Sequence, residues 1–493
     1  MTNVWIVTLP FFSHVTSAAQ LAYQLARHGL IVTLFAATAD LQRLQSNPVL
    51  KIWKGQGPDI KLQSLEITSP VLADSVGDKR RFLQPFLQTG PAFQKVLNKE
   101  FLRGFKPTCV ISDFMVHGVH EAAAQYKIPS WSFCPFSVGY AATFVYVRQL
   151  ESKGLLKLPP SQLDPEAQEE LISLPGLPLL RICDLSSLYF KKSGHLHEYS
   201  LHLLQPFLNA DVMLFSTFEE FEPRTVHAFR SLLKAHASQV SKQVPHVWTI
   251  GPTFPFLSYS EKARSKEDAE VDPSIKFLDS QPPSSVIYVA FGTDVNLTEE
   301  QIQELVYGLE GSHQPFLCVL HPPKRSSDSD VEVKDITSIL PSDCLERIKS
   351  RSWFVRWAPQ LEVLSHPSTG AFISHCGFSS VLESVSLGVP ILAWPFQYDQ
   401  FMNCRHLVDE AQISLQVCPA LHIGGFVTRG DLEKSINTLF RSSEGTAVRE
   451  RALQMKRRAE ATTGENGSSS QNMKKVVALI CNLSTTDAEN LKL

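Results

Sequence analysis

With 493 residues, 43% of them hydrophobic and 19% charged, the chain is too long for one ordinary core and has the composition of a soluble globular protein of two domains. Its 46 basic and 49 acidic residues leave a formal charge of −3, so no basic excess points to nucleic acid or an anionic lipid surface, and small-molecule partners are expected. Nine cysteines without a CxxC pair argue against a disulfide frame or zinc site, and no apolar run reaches membrane-spanning length; a cytoplasmic, metal-independent monomer is the expectation.

Val4–Leu9 is a continuous apolar run, and neither a basic start nor sufficient length before Pro10 makes it a secretory leader. Ala18, Leu21, Ala22, Leu25 and Ala26 follow at helical spacing, Gly29 closes that helix, and Ile31–Ala36 forms the next strand, giving a βαβ unit. The pattern returns at Cys109–Ser112, followed by a helix through Glu121 and Ala124. Prolines and glycine gather over Val247–Pro255, before the polar stretch Ser258–Asp272, which reads as a linker. A second alternation has strands at Ser285–Phe291, Phe316–Leu320 and Gly370–Ser374, with a capping box at Thr298–Gln301. A last amphipathic helix covers Ser469–Leu483. The expected organisation is an α/β N-terminal domain over 1–252, a linker over 253–275, an α/β C-terminal domain over 276–465, and a terminal helix over 466–493 returning to the N-terminal domain. Ligands of such sheets bind beyond the carboxyl ends of the strands, in the cleft between the two domains.

The densest chemistry lies between Trp357 and Gln400, WAPQLEVLSHPSTGAFISHCGFSSVLESVSLGVPILAWPFQYDQ. After the strand ending at Ser374 come His375, Cys376 and Gly377, then Ser379 and Ser380 opening a helix. Unpaired backbone N–H groups, hydroxyls and an imidazole converge there, as a diphosphate site requires. Glu383, one turn on, is placed to accept from ribose hydroxyls; a plain Ser380–Glu383 capping box is the structural alternative. Trp357 offers a face for a uracil, although a lone Trp is more often core. Asp399 and Gln400 open a helix at another carboxyl end and could hold sugar hydroxyls or act as an N-cap.

For the base that takes a proton from an acceptor hydroxyl, His14 stands out among sixteen histidines, because it follows the first strand at the carboxyl edge of the sheet. Asp113, at the corresponding end of another strand, is placed to orient it, with a helix N-cap as the alternative role. Phe11, Phe12, Phe82, Phe86, Phe133, Phe136, Phe144 and Tyr189 suggest a greasy acceptor pocket, and any one of them can be core. Asp328-Ser329-Asp330 has the DxD form of metal-dependent transferases but sits in a polar run and reads as a solvated loop.

The Trp357–Gln400 stretch resembles the signature box of plant family 1 UDP-dependent glycosyltransferases, with WAPQ, HCG, the Glu, GVP, WP and DQ in place; IGP at Ile250–Pro252 and FLDSQPPSSVIYVAFGT at Phe277–Thr293 extend the likeness over essentially the whole chain. The resemblance implies a GT-B fold, two Rossmann-like domains facing across a cleft, and inverting transfer of a hexose, glucose by the terminal Gln400, from a UDP-sugar to a small lipophilic acceptor such as a phenol, flavonoid, terpenoid or existing glycoside. It implies His14 as base with Asp113 as its partner, Trp357 and Gln360 on the uracil and ribose side, Glu383 on the ribose, His375, Ser380 and Thr293 on the phosphates, and Asp399 with Gln400 on the sugar. Ala358, Gly377, Phe378 and Ser379 fall in the same donor stretch, and Ser137 matches a position near the donor sugar. Phe378 and Ser379 stand where the family usually has Trp and Asn, which keeps open a sugar-on-sugar transferase using another UDP-sugar or a non-catalytic UDP-sugar-binding protein.

Overall fold

The computed structural model describes residues 2–46, 60–67, 79–158, 162–190, 195–208, 210–254, 271–293, 295–321, 336–418 and 425–490. Most of the expected linker, the DxD run and the side chain of Phe82 lie outside the described residues.

Two parallel sheets organise the chain. The first contains β1 (Asn3–Val7), β2 (Ile31–Ala37), β3 (Ile60–Leu65), β4 (Cys109–Asp113) and β5 (Ser130–Cys134). A small antiparallel hairpin, β6 (Leu171–Ile172) with β7 (Leu180–Arg181), precedes β8 (Val212–Phe215) and β9 (His246–Thr249), and the sheet order is β3-β2-β1-β4-β5-β8-β9. The second contains β10 (Val286–Ala290), β11 (Phe316–Val319), β12 (Ser352–Val355), β13 (Thr369–Ser374), β14 (Ile391–Ala393) and β15 (Ser414–Gln416), in the order β12-β11-β10-β13-β14-β15. Every residue of β4, β10 and β13 is buried. Helices cover both faces of a parallel sheet, so its central strands are buried throughout instead of alternating.

Each sheet reverses its strand order beside its first strand, at β1/β4 and at β10/β13. The loops leaving two neighbouring strands there run to opposite faces, and the crevice between them is where such sheets bind ligands. The helix after β1 spans Phe12–Arg27, which puts His14 in its first turn, and Gly29 (φ +85°) reverses the chain into β2. Thr298 caps its helix through Gln301 N–H, but the Gln301 side chain donates instead to the Val427 carbonyl, so only half of the expected capping box forms.

The final helix, Ser468–Asn490, packs Met473, Val476 and Ile480 into the core of the first sheet, and Asn472 donates to the Thr249 carbonyl at the end of β9. Two further contacts join the lobes around the helix Gln400–Arg405. The Arg405 guanidinium lies 3.0 Å from the buried Asp184 carboxylate, and the His406 ring donates to the Phe221 carbonyl at 3.0 Å.

Candidate active site

At the first switch point, Asp113 ends β4 and His14 follows β1. The ring Nδ1 of His14 and Oδ2 of Asp113 are 2.7 Å apart, with the carboxylate side chain fully buried and the imidazole 21% exposed. The other carboxylate oxygen accepts from Met115 N–H at 2.9 Å, which fixes the plane of the group. Since a carboxylate only accepts, Nδ1 must carry the proton and Nε2 the lone pair. The helix that follows begins at Val119 with Gly118 as its N-cap, so Asp113 is not a cap. Phe11 lies beside the imidazole with ring centroids 6.1 Å apart, Phe86 meets Phe11 edge-on at 5.3 Å, and Tyr199 meets Phe86 at 5.4 Å, forming an aromatic wall beside the dyad. Phe114, Phe136, Phe144 and Tyr189 form a continuous T-shaped aromatic cluster in the core, and Phe133 is also fully buried.

At the second switch point, β13 runs into Cys376 in the left-handed conformation (φ +64°), and Gly377 is the N-cap of the helix Phe378–Leu387 with no side chain capping it. The helix therefore presents its first amides, and the positive end of its dipole, toward His375. Burial lowers the His375 pKa to about 4, with the Ala290 backbone pulling weakly the other way, so the ring is neutral. Its Nδ1 is buried, and a Cβ built on Gly377 would lie 2.4 Å from its Nε2. A glycine is required there by contact with the imidazole. Gly377→Ala should displace the ring and weaken UDP binding about tenfold, measured by titration calorimetry, with the melting temperature little changed; wild-type affinity would mean that the imidazole position is immaterial.

Ser380 and Glu383 do not form a capping box. Both turn toward Gln360, the first residue of the helix Gln360–Ser365, whose Nε2 donates to Glu383 Oε2 at 2.7 Å and to Ser380 Oγ at 3.1 Å. Tyr288 of β10 donates its hydroxyl to Gln360 Oε1 at 3.4 Å, closing a chain of polar groups within an otherwise apolar sheet. Burial raises the Glu383 carboxyl to about 7, partly offset by the Gln360 bond. Trp357 is 54% exposed, which excludes the core alternative, whereas Ala358 is buried. Phe378 is also buried and packs into the core, so only its backbone borders the helix tip; Ser379 is half-buried and Thr293 exposed.

Asp399 precedes the helix Gln400–Arg405 but makes no side-chain cap, contrary to the N-cap alternative. Burial raises its carboxyl to about 6, opposed chiefly by the hydrogen bond from Asn403 and least by His14 when that ring is protonated. Gln400 is buried, and its Oε1 accepts from the Phe396 and Gln397 amides at 2.9 and 3.0 Å, orienting its NH2 group away from them. The Ser137 hydroxyl is engaged on both sides: it caps its own helix by accepting from Tyr140 N–H at 3.1 Å and donates to Asn403 Oδ1 at 3.3 Å.

The model of the UDP-glucoronosyl and UDP-glucosyl transferase family matches residues 202–442. The chain is 28% identical over 477 residues to UDP-glycosyltransferase 72B1 of Arabidopsis thaliana, covering 95% of this chain and 94% of that protein. It is 30% identical over 400 residues to a phloretin 2'-O-glucosyltransferase of Malus domestica, covering 79% of each. The chain belongs to the plant family 1 UDP-glycosyltransferases. A crystal structure of a UGT transferase from Siraitia grosvenorii in complex with UDP matches with a TM-score of 0.78 at 25% identity, over 98% of this chain and 100% of that one, and the fold is GT-B.

For a UDP-glycosyltransferase, the arrangement supplies an oriented imidazole on one lobe and an anion-favouring helix tip, an exposed indole and two desolvated carboxyls on the other. Two residues of this site escaped sequence reading. Asn403 lies one helical turn from Asp399, a spacing that puts the two on one face, so the signal was present. Tyr288 lies in the fully buried strand β10, where a tyrosine reads as one more apolar residue and gives no signal. Among the described residues no group of three His, Cys, Asp or Glu is placed to hold a metal ion, and no helix is long and apolar enough to cross a membrane.

Proposed function

We propose that the protein transfers glucose from UDP-glucose to a phenolic or terpenoid hydroxyl with inversion at the anomeric carbon, His14 acting as general base. The observation that carries this reading is the His14–Asp113 pair, held at 2.7 Å at the carboxyl ends of β1 and β4. The acceptor hydroxyl gives its proton to His14 Nε2 as its oxygen bonds to the anomeric carbon; the bond from that carbon to the UDP oxygen breaks, and the electron pair leaves with the diphosphate. Charge developing on the leaving group is met by the amides opening the helix at Phe378 and by His375, fixed dipoles that need no reorganisation during the reaction. Trp357 stacks the uracil, Gln360 and Glu383 hold the ribose, Ser380 and Thr293 reach the phosphates, and Asp399 and Gln400 hold the sugar. Asp113 keeps the imidazole in the tautomer the step needs and stabilises its cation.

The aromatic wall of Phe11, Phe86 and Tyr199 favours a flat apolar acceptor, in keeping with the phenolic substrate named for the apple relative. The terminal Gln400 favours glucose over galactose. Intact protein is incubated with UDP-glucose, UDP-galactose, UDP-xylose and UDP-rhamnose against a panel of phenols, terpenoids and glycosides, and products are read by mass. A gain of one hexose on phenols or terpenoids from UDP-glucose is expected; no product from any pair would overturn the reading.

A further inference from the structure

Asn403 is 4% exposed, and its side chain makes hydrogen bonds to three partners from different parts of the fold. Its Nδ2 donates to the Cys376 carbonyl at 2.9 Å and to Asp399 Oδ2 at 2.7 Å, while its Oδ1 accepts from the Ser137 hydroxyl at 3.3 Å. The orientation of the amide follows from chemistry: a backbone carbonyl and a carboxylate can only accept, so the NH2 group must face both of them. The Cys376 carbonyl belongs to the left-handed turn that sets the helix tip, Asp399 to the loop after β14, and Ser137 to the other lobe, as the N-cap of the helix Val138–Ser152. One amide thus connects the turn that faces the phosphates, the carboxylate that faces the sugar, and the lobe that carries the base.

We propose that Asn403 is a positioning residue of the transfer reaction, which holds the Asp399 carboxylate at a set distance from the Cys376 turn and from the N-terminal lobe, and so fixes where the donor sugar lies relative to His14. The proposal rests on the reading of Asp399 as the acceptor of sugar hydroxyls. An Asp399 carboxylate without this donor would turn toward solvent or toward other donors, and its oxygens would no longer lie where the hexose hydroxyls require them. Among the described residues no hydrogen bond joins Asn403 to Trp357, Gln360 or Glu383, so the nucleotide part of the donor should bind as before.

The test compares Asn403→Ala, Asp399→Ala and the double variant, with calorimetric Kd for UDP and for UDP-glucose, and kcat and KM with an acceptor from the screen. Asn403→Ala is expected to weaken UDP-glucose binding about tenfold and lower kcat about tenfold, with the Kd for UDP changed by less than about threefold. The double variant is expected to be no worse than Asp399→Ala alone, because the two residues act through one group. Parallel weakening of UDP and UDP-glucose with unchanged kcat, or strictly additive losses in the double variant, would reduce Asn403 to packing and overturn the proposal. If Asp399→Ala itself leaves UDP-glucose binding and kcat intact, the sugar role of Asp399 fails; if Asp399→Ala is impaired while Asn403→Ala is not, only the positioning role fails. Should Asn403→Ala not fold, Asn403→Ser is read in the same way, since its hydroxyl can donate to only one of the two acceptors.

Discussion

Replacing His14 with alanine should lower kcat by about 10²–10⁴ while the Kd for UDP-glucose stays within about twofold, because the proposed general-base assistance is lost and the proposed nucleotide subsite on the other lobe is untouched. The structure gives this expectation a sharper companion in Asp113→Asn. Met115 N–H needs an acceptor, so the new amide would turn its oxygen to Met115 and its NH2 to His14 Nδ1. The imidazole would then have to accept at Nδ1 and carry its proton on Nε2, leaving no lone pair for the acceptor hydroxyl. Asp113→Asn is therefore expected to lose activity by about 10²–10⁴ as well, although its shape is unchanged. Steady-state kinetics with the acceptor found by mass screening decides the matter: a His14→Ala enzyme retaining more than a tenth of wild-type kcat would remove His14 from the chemistry.

The switch-point geometry was legible in the sequence because it follows from patterning. Apolar runs such as Val4–Leu9 and Gly370–Ser374 are long enough to be central parallel strands, and His14 and His375 come directly after them, so their place at the carboxyl edges needed no coordinates. The alternatives that stayed open were those in which one local spacing serves two purposes. Ser380 and Glu383 have capping-box spacing, and only the position of Gln360, brought in from another loop by the packing of two helices, shows which way they turn. Asp399 before a helix reads as an N-cap in the same way, yet its side chain makes no cap. Ser137 shows the converse: read as a neighbour of the donor sugar, it has its hydroxyl engaged by Tyr140 N–H and Asn403, and the second of these lies on the other lobe. Contacts between lobes have no periodicity in the sequence, and so Arg405 with Asp184, like the bond from Ser137 to Asn403, became visible only in the folded chain.

Glu383→Gln should weaken UDP-glucose binding about 10- to 100-fold at pH 8, the range expected when a buried charge-assisted hydrogen bond is replaced by a neutral one. The same carboxyl also sets a pH dependence. Its pKa of about 7 in the folded chain lies above the ordinary value of 4.5, chiefly because burial disfavours the ionised form. In the proposed ribose role the hydroxyls donate to the ionised form, so wild-type affinity for UDP-glucose should rise as pH increases from 6 to 8, with proton release on binding seen as a buffer-dependent calorimetric enthalpy. The diphosphate of a nucleotide sugar has no ionisation in this window, so the slope reports the protein. Glu383→Gln should flatten it, apart from a residue below pH 7 from Asp399, whose carboxyl is raised to about 6. For stability the sign is opposite. Between pH 4.5 and 7 the folded chain binds a proton at Glu383 that the unfolded chain has lost, so ionisation destabilises the fold as pH rises and the full penalty applies above 7. Glu383→Gln should thus raise the melting temperature of the ligand-free protein at pH 8, by about 1–3 °C, with no gain at pH 4.5. A variant that loses donor affinity and stability together would show that Glu383 holds the fold and is not a desolvated carboxyl kept ready for a ligand.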